Sequence, residues 1–241
     1  IMIKESDNLI TKVISHGVKK KLTSGKIGLE KESLRIFQSK ISSQPHHDSL
    51  GSALCNKWIT TDFSEAQLEF ITPAVSNKQV ELDFLDNLHH FVTQNIGDEY
   101  LWPFSMPPFI QSDTEIPIAS YGCSNLALFK MTYRNGLSHR YGRTMQAISG
   151  IHFNYSFPEH IWETLPFIQE KTDSKELRSK IYFRTLRNLH RFNWLILYLF
   201  GASPVATKNF FDINQHDLQK LDKHSYYLPY ATSLRMSDLG Y

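Results

Sequence analysis

The stretch GLEKESLRI, residues 28–36, is the part of the sequence that most directly predicts the fold. Side chains alternate between the faces of a strand, so Glu30 and Glu32 point the same way, roughly 6.6–7 Å apart along the chain. Leu34 and Ile36 continue that face, which makes it the inner, apolar side. Two carboxylates there repel each other and are costly to bury, and a hard cation such as Mg²⁺ would remove the cost. The alternative is an exposed edge strand with both glutamates in water.

A second stretch, ITTDFSEAQLEFIT at residues 59–72, places acids inside another β-favouring segment. Glu65 and Glu69 share one face of the predicted strand. Leu68 and Phe70 share the other face. Carboxylates distributed over neighbouring strands would form a platform for several metal ions, whereas a solvated strand face is the alternative interpretation.

A third stretch, GIHFNYSF at residues 150–157, alternates strictly between apolar and polar side chains. His152, Asn154 and Ser156 share one face of the predicted strand. An imidazole can bind a metal, and amide and hydroxyl groups can hydrogen-bond phosphate oxygens. The alternative is a histidine with a purely structural role.

The remaining patterns predict helices and strands that do not alternate in a βαβ order. Helices are predicted over 5–23, from 76 to about 96, over 125–141 and over 175–200, with strands over 27–36, 58–72, 148–157 and 226–236 and irregular chain over 38–50 and 101–122. Such an order favours an α+β fold with a mainly antiparallel sheet over a doubly wound one.

Composition excludes several classes of protein. Of the 241 residues 41% are hydrophobic and 13% aromatic, which argues against disorder. Two cysteines give no disulfide framework, and the longest apolar run, residues 194–200, is far shorter than the ~20 residues that span a bilayer. We therefore expect a cytoplasmic protein with no membrane partner. The phosphate-loop, G-x-G-x-x-G, H-E-x-x-H and C-x-x-C motifs are absent from the sequence.

Basic residues recur at helical spacing within the predicted helix 175–200. They are Lys180, Arg184, Arg187 and Arg191. Such a stripe could contact phosphates, but the formal net charge is only +2, so no strong field favours nucleic acid. We expect a solvated helix face and no nucleic-acid partner.

Taken together, six segments resemble the proteobacterial glutamate–cysteine ligase family. They are residues 28–36, 51–73, 95–108, 144–158, 182–204 and 226–241. The resemblance runs in order along nearly the whole chain and is weakest before residue 27, at 159–175 and at 205–224. Enzymes of this family make γ-glutamylcysteine, the first intermediate of glutathione synthesis, from glutamate, cysteine and ATP with Mg²⁺. The resemblance implies a curved, mainly antiparallel sheet with flanking helices, as in glutamine synthetase, whose concave face carries metal-binding glutamates.

The resemblance also implies roles for individual residues. Candidate ligands of Mg²⁺, or of Mn²⁺ in its place, are Glu30, Glu32, Asp62, Glu69 and His152. Arg134 would lie near the transferred phosphoryl group, and Arg235 would bind a substrate carboxylate. Positions lining the cysteine pocket are Phe63, Tyr133, Leu137, Gln146 and Tyr241. Arg235, Gln146 and Tyr241 are singled out by the resemblance alone.

Family members are about twice as long as this chain, which begins at Ile1 and stops at Tyr241. The resemblance therefore implies that residues 1–241 are the N-terminal part of a single catalytic domain whose downstream half is absent, so that the sheet is incomplete. We expect the complete protein to be a monomer and the chain alone to have poor solubility and no ligase turnover. Two alternatives are a related carboxylate–amine ligase with another amine acceptor and a non-catalytic remnant that binds Mg²⁺ and ATP.

Overall fold

The structure, a computed structural model, describes residues 11, 14–15, 17–164, 174–201, 204–210, 217–234 and 236–237. These residues form a six-stranded sheet, a three-stranded sheet and flanking helices. The strands are β1 Lys26–Phe37, β2 Lys40–Ile41, β3 Ile59–Thr61, β4 Gln67–Ile71, β5 Tyr100–Leu101, β6 Ile151–Ser156, β7 Val205–Thr207, β8 Gln219–Lys220 and β9 Ser225–Tyr227. The helices are α1 Val18–Leu22, α2 His46–Leu50, α3 Lys78–Asn95, α4 Asn125–Tyr141, α5 Arg143–Gln146 and α6 Lys175–Phe200, with 3₁₀ turns at Asp113–Glu115 and Glu159–Ile161.

Strand β1 organises the larger sheet. Its twelve residues pair with β4 on one side and with β6 and β5 on the other, and its end turns back into β2. Strand β3 lies outside β4, and every ladder between described strands is antiparallel. The predicted α+β fold with a mainly antiparallel sheet is confirmed, and the sheet is open, not closed into a barrel.

Helix α3 covers one face of the sheet. Leu68 and Phe70 of β4 are completely buried against Leu88 and Val92 of this helix. The buried Glu81 carboxylate accepts hydrogen bonds from the Leu29 amide of β1 and from the hydroxyl of Thr72, the residue after β4. The burial of large apolar side chains, about 1.5–3 kcal/mol each, stabilises this layer, and the carboxylate fixes the position of the helix on it.

The opposite face is covered by irregular chain in its apolar half. Leu34 and Ile36 of β1 pack with Phe63, Ile110 and Ile116. The last two belong to the predicted irregular connection 101–122, in which the structure has only the Tyr100–Leu101 strand end, a 3₁₀ turn and an isolated bridge at Ile118. The prediction for this segment is thus confirmed in essence, and the segment supplies core side chains without regular structure.

Helix α6 and strand β6 leave much apolar surface exposed. Helix α6 begins where the Ser174 side chain accepts from the Leu177 amide, and it ends before Gly201, as predicted. Most of its large apolar side chains are exposed, from Tyr182 to Phe200. No helix among the described residues is long and apolar enough to cross a membrane.

Some predicted elements differ from the structure. The predicted loop 38–50 contains β2 and helix α2, and the predicted strand 226–236 is only the short strand β9. That strand stops because Pro229 has no amide to donate and Tyr230 has a φ of 66°. Residues 5–10, 12–13 and 16 of the predicted helix 5–23 lie outside the described residues, and the helix that is described there is α1.

Candidate active site

The predicted acidic residues lie on one face of the sheet. In the β1–β4 ladder Glu32 is directly opposite Glu69, and in the β1–β6 ladder Glu30 is directly opposite His152. Directly opposite residues of an antiparallel pair point to the same face. Three separate segments of the sequence therefore bring their polar side chains to one surface of three adjacent strands, as their alternation predicted.

Hydrogen bonds orient the two glutamates of β1. Glu30 Oε2 is 3.0 Å from His152 Nδ1, and Glu30 Oε1 accepts from Asn154 Nδ2 at 3.1 Å. Glu32 Oε2 accepts from the Gly150 amide at 2.7 Å, while the Glu32 amide donates to the Gly150 carbonyl. Strand β6 and the residue before it thus hold both carboxylates from the side.

Glu69 shows the electrostatic cost of this arrangement. Burial and then the neighbouring charges of Asp62, Glu32 and Glu30, in that order, together raise the pKa of the Glu69 carboxyl to about 7, against an opposite effect of His152. Like charges directly across a ladder are destabilising. A bound cation would relieve this repulsion.

Asp62 joins the acids from the turn that follows β3. Its amide donates to the Gln67 carbonyl at 3.0 Å, which closes the turn between β3 and β4. Its carbonyl accepts from Arg134 Nε of helix α4 at 2.5 Å. The backbone of Asp62 is therefore held at both its amide and its carbonyl, and its charge is close enough to raise the pKa of Glu69.

The donor set suits a hard cation chemically, since carboxylates and one imidazole are ligands of Mg²⁺ and Mn²⁺. Within the described ranges, however, no three His, Cys, Asp or Glu side chains converge closely enough to hold a metal ion. The acids share a face and repel one another without meeting at a point. The assignment of Glu30, Glu32, Asp62, Glu69 and His152 as metal ligands stays a prediction.

A cavity adjoins the acids. Its volume is about 300 Å³, and Glu30 and Asn154 line it together with Gly28 and Thr72. At Gly28 an added Cβ would meet only ordinary contacts at 3.9–4.0 Å, so a Cβ at this position would not clash with its neighbours. Carboxylate, amide and hydroxyl groups thus open onto one space beside the sheet.

The residues assigned to the cysteine pocket separate into a core group and a surface residue. Phe63 is buried in the core with Leu34, and Leu137 packs against the same cluster. Gln146 is buried at the end of α5, next to Ala147 of that cluster. Tyr133 is exposed on α4. The predicted residues Arg235 and Tyr241 lie outside the described residues.

Arg134, assigned to the phosphoryl group, is buried and bound to backbone. Its guanidinium donates to the carbonyls of Asp62, Lys130 and Thr61 at 2.5, 3.2 and 3.4 Å. Three of its five N–H groups are thus engaged in holding the chain. The structure adds this anchoring role, which the sequence did not reveal.

Two buried polar groups near the site differ from the sequence analysis: Glu65, predicted on the strand face with Glu69, lies buried in the turn before β4, and Arg35 was not singled out. The Glu65 carboxylate accepts from the amides of His46 and Ser120, and Arg35 pairs with Glu99 at 2.7 Å beneath the sheet. A charged residue in an apolar strand, such as Arg35, was the one available signal. Nothing in the sequence marked its partner Glu99, which is 64 residues away along the chain.

The fold and the site together define an α+β protein whose open antiparallel sheet carries a cluster of carboxylates beside a cavity. Residues 10–241 match the profile of the glutamate-cysteine ligase family, so the chain belongs to that family. Among curated proteins it is similar to glutamate–cysteine ligases of Pseudomonas putida KT2440, with 49% identity over 216 residues, and of Alcanivorax borkumensis, with 48% over 216 residues. Each match covers 89% of this chain and 41% of the relative, so the chain spans about two fifths of their length.

Solved structures agree with this membership. The glutamate–cysteine ligase of Francisella tularensis in complex with AMP superimposes with a TM-score of 0.82 at 40% identity, over 90% of this chain and 43% of that one. A bifunctional glutathione synthetase of Pasteurella multocida superimposes with a TM-score of 0.68 at 30% identity, over 79% of this chain and 25% of that one. The predicted fold class and family are confirmed.

Proposed function

We propose that this chain forms the acidic half of the active site of an enzyme that joins the γ-carboxyl of glutamate to the amine of cysteine at the expense of ATP, the first step of glutathione synthesis. The observation that carries the proposal is the set of repelling carboxylates on one sheet face in a member of this family. AMP bound to the Francisella relative supports a nucleotide as co-substrate.

A carboxylate is a poor electrophile, so the reaction needs an activated glutamate. The γ-carboxylate oxygen forms a bond to the γ-phosphorus of ATP, and the bond to ADP breaks. The cysteine nitrogen then attacks the acyl carbon of γ-glutamyl phosphate, phosphate leaves with its electron pair, and the nitrogen loses a proton to water. When bound, Mg²⁺ or Mn²⁺ would neutralise the charge of the phosphate oxygens.

Different residues of this chain would have different roles in this reaction. Carboxylates and imidazole would hold the cation, namely Glu30, Glu32, Asp62, Glu69 and His152. Arg134 would stabilise the transferred phosphoryl group and Arg235 would bind a substrate carboxylate. The cysteine would be received by Phe63, Tyr133, Leu137, Gln146 and Tyr241.

The setting of the enzyme is part of the proposal. Residues 1–241 would be the N-terminal part of one catalytic domain, and the complete protein a cytoplasmic monomer whose partners are its small-molecule substrates. The exposed free cysteines Cys55 and Cys123 fit a reducing compartment. We propose neither a nucleic-acid partner for the exposed basic residues of α6 nor a membrane partner.

A chimera tests the activity. Residues 1–241 are fused to the remaining C-terminal part of the Pseudomonas putida relative, and ADP release is measured with glutamate and cysteine. We expect turnover that depends on both amino acids, and none from residues 1–241 alone. Turnover by the chain alone would refute the proposed division of the domain.

Substituted chimeras and other amines extend this experiment. Glu30→Gln should abolish ADP release in the chimera without altering its circular dichroism, whereas the exposed Glu163→Gln should not affect it. Near-normal turnover of Glu30→Gln would remove Glu30 from the cation site. Other amines in place of cysteine separate this activity from that of a related ligase, because a faster reaction with another amine would identify that amine as the acceptor.

A further inference from the structure

Tyr121, which the sequence did not single out, lies against the turn that carries Asp62. Its hydroxyl oxygen is 2.9 Å from the Thr61 carbonyl and 3.3 Å from the Asp62 carbonyl, to which it donates. The same oxygen accepts from Thr61 Oγ1 at 2.9 Å. One phenol thus joins two successive backbone carbonyls and a side chain at the point where β3 ends.

Arg134 approaches the same two carbonyls from helix α4. Its Nε donates to Asp62 and its Nη2 donates to Thr61. The guanidinium carbon lies 4.8 Å from the centre of the Tyr121 ring, a cation–π distance. Phenol and guanidinium therefore form one unit, stacked on each other and directed at the same peptide groups.

This unit is buried. Tyr121 is 8% exposed, Arg134 is 9% exposed and Thr61 is 1% exposed. Hydrogen bonds to backbone carbonyls are worth more where water is excluded, because a carbonyl that loses its donor cannot be rescued by solvent. The carbonyl of Asp62 is therefore held by two buried donors, the Tyr121 hydroxyl and the Arg134 guanidinium.

We propose that Tyr121 is a positioning residue that holds the Asp62 carboxylate in the acidic cluster, acting through the backbone carbonyls it shares with Arg134. That the acidic cluster binds a cation rests on the proposed function, whereas the contacts of Tyr121 are observed in the structure. Partners that orient a metal ligand typically change metal affinity about 10- to 100-fold, and Tyr121 acts one step further away. Loss of its hydroxyl should therefore weaken cation binding about five- to tenfold.

The test compares Tyr121→Phe with Tyr227→Phe in the full 241-residue chain. Each variant loses one phenolic hydroxyl, and the Tyr227 hydroxyl donates to Gln219 in the three-stranded sheet. Mn²⁺ is titrated and followed by electron paramagnetic resonance. Hydrogen exchange of residues 59–67 is measured by mass spectrometry without metal.

We expect weaker Mn²⁺ binding and about fivefold faster exchange of the Asp62 amide in Tyr121→Phe only, since one lost hydrogen bond is worth about 1 kcal/mol. Arg134→Lys, which keeps the charge but loses the fork of donors, should shift both readouts the same way and serves if Tyr121→Phe does not fold. Equal Mn²⁺ affinity in Tyr121→Phe and Tyr227→Phe would overturn the proposal.

The two readouts separate this proposal from the proposed function. If the unsubstituted chain binds no Mn²⁺, the cation site fails, and the exchange rates alone decide on Tyr121. Faster exchange at Asp62 in Tyr121→Phe then supports the positioning role, and unchanged exchange refutes it.

Discussion

Strands β4 and β6 both pair with β1, yet they differ sharply in what surrounds them. Phe70 of β4 is opposite Lys31 of β1, and Lys31 is in turn opposite Ile151 of β6, so the three residues lie in one row on one face. Phe70 is 0% exposed and Ile151 is 65% exposed. Hydrogen-bonded pairing therefore does not decide burial here. Helix α3 does, because it packs on β4 and not on β6.

The acidic face combines both kinds of strand. Glu69 extends from the buried strand β4, and His152 extends from the exposed strand β6, with the glutamates of β1 between them. The buried strand β4 supplies the carboxylate whose pKa is raised to about 7, and the exposed strand β6 supplies the imidazole. Burial and site chemistry are thus distributed unevenly over one sheet.

The largest change in the free energy of unfolding is expected from a substitution in the buried strand β4. Phe70→Ala removes a completely buried ring that contacts His89 at 4.7 Å between ring centres, and we expect a loss of about 3–5 kcal/mol in the free energy of unfolding. Urea denaturation followed by circular dichroism measures this loss. Should the variant not fold, Phe70→Leu keeps most of the volume and should lose about 1 kcal/mol.

Cation binding serves as the second measurement for the same position. Phe70 points away from the acids, so Phe70→Leu should leave Mn²⁺ affinity unchanged within about twofold. A large drop in affinity would show that the two faces are not independent, and the distinction between packing and site would fail.

The sequence predicted the faces of these strands because alternation is a local property. The glutamates of β1 and the residues of β6 lie in short segments whose alternation can be recognised without knowing which strands pair with them. Helices α4 and α6 were predicted with their bounds because caps and periodicity are also local. The register that sets Glu32 opposite Glu69 follows from pairing, which alternation alone does not specify.

Long-range contacts could not be predicted. Tyr121 meets Thr61 across 60 residues of chain, and Arg134 meets Asp62 across 72. No spacing or propensity marks a side chain that binds a distant backbone carbonyl. The short strand β9 was overestimated for a local reason, since Pro229 stops it. The parts of the site that depend on local patterns could therefore be predicted from the sequence, and the parts that depend on tertiary contacts could not.

A smaller change in the free energy of unfolding, this time an increase, is expected when Glu69 is substituted. Its pKa in the fold is about 7, above the ordinary 4.5, so the folded state holds its proton more tightly than the unfolded state. The stability penalty grows as pH rises from 4.5 to 7 and is complete above 7. Each pKa unit is worth about 1.4 kcal/mol, and solvent screening of a partly buried group leaves about 1–2 kcal/mol in all. Glu69→Gln should therefore be more stable than the unsubstituted chain at pH 8.

The measurement is thermal unfolding between pH 4 and pH 8 in the presence of a chelator. The gain of Glu69→Gln should disappear toward pH 4, where Glu69 is protonated in both states. Glu163→Gln removes an exposed carboxylate and should show no such pH dependence. A Glu69→Gln variant that is less stable at pH 8 would mean that the carboxylate is stabilised in the fold and not repelled.

The smallest effect is expected at the exposed strand. Phe153 of β6 is 65% exposed, and threonine suits a strand, so Phe153→Thr should change the unfolding free energy of residues 1–241 by less than about 0.5 kcal/mol. In the chimera with the C-terminal part of the Pseudomonas putida relative, the same substitution should cost more than about 1 kcal/mol if the added part covers this face. Urea denaturation of both backgrounds measures the difference. An equal, small cost in both would mean that β6 stays exposed in the longer protein, and the contrast between β4 and β6 would then belong to the family fold and not to the length of this chain.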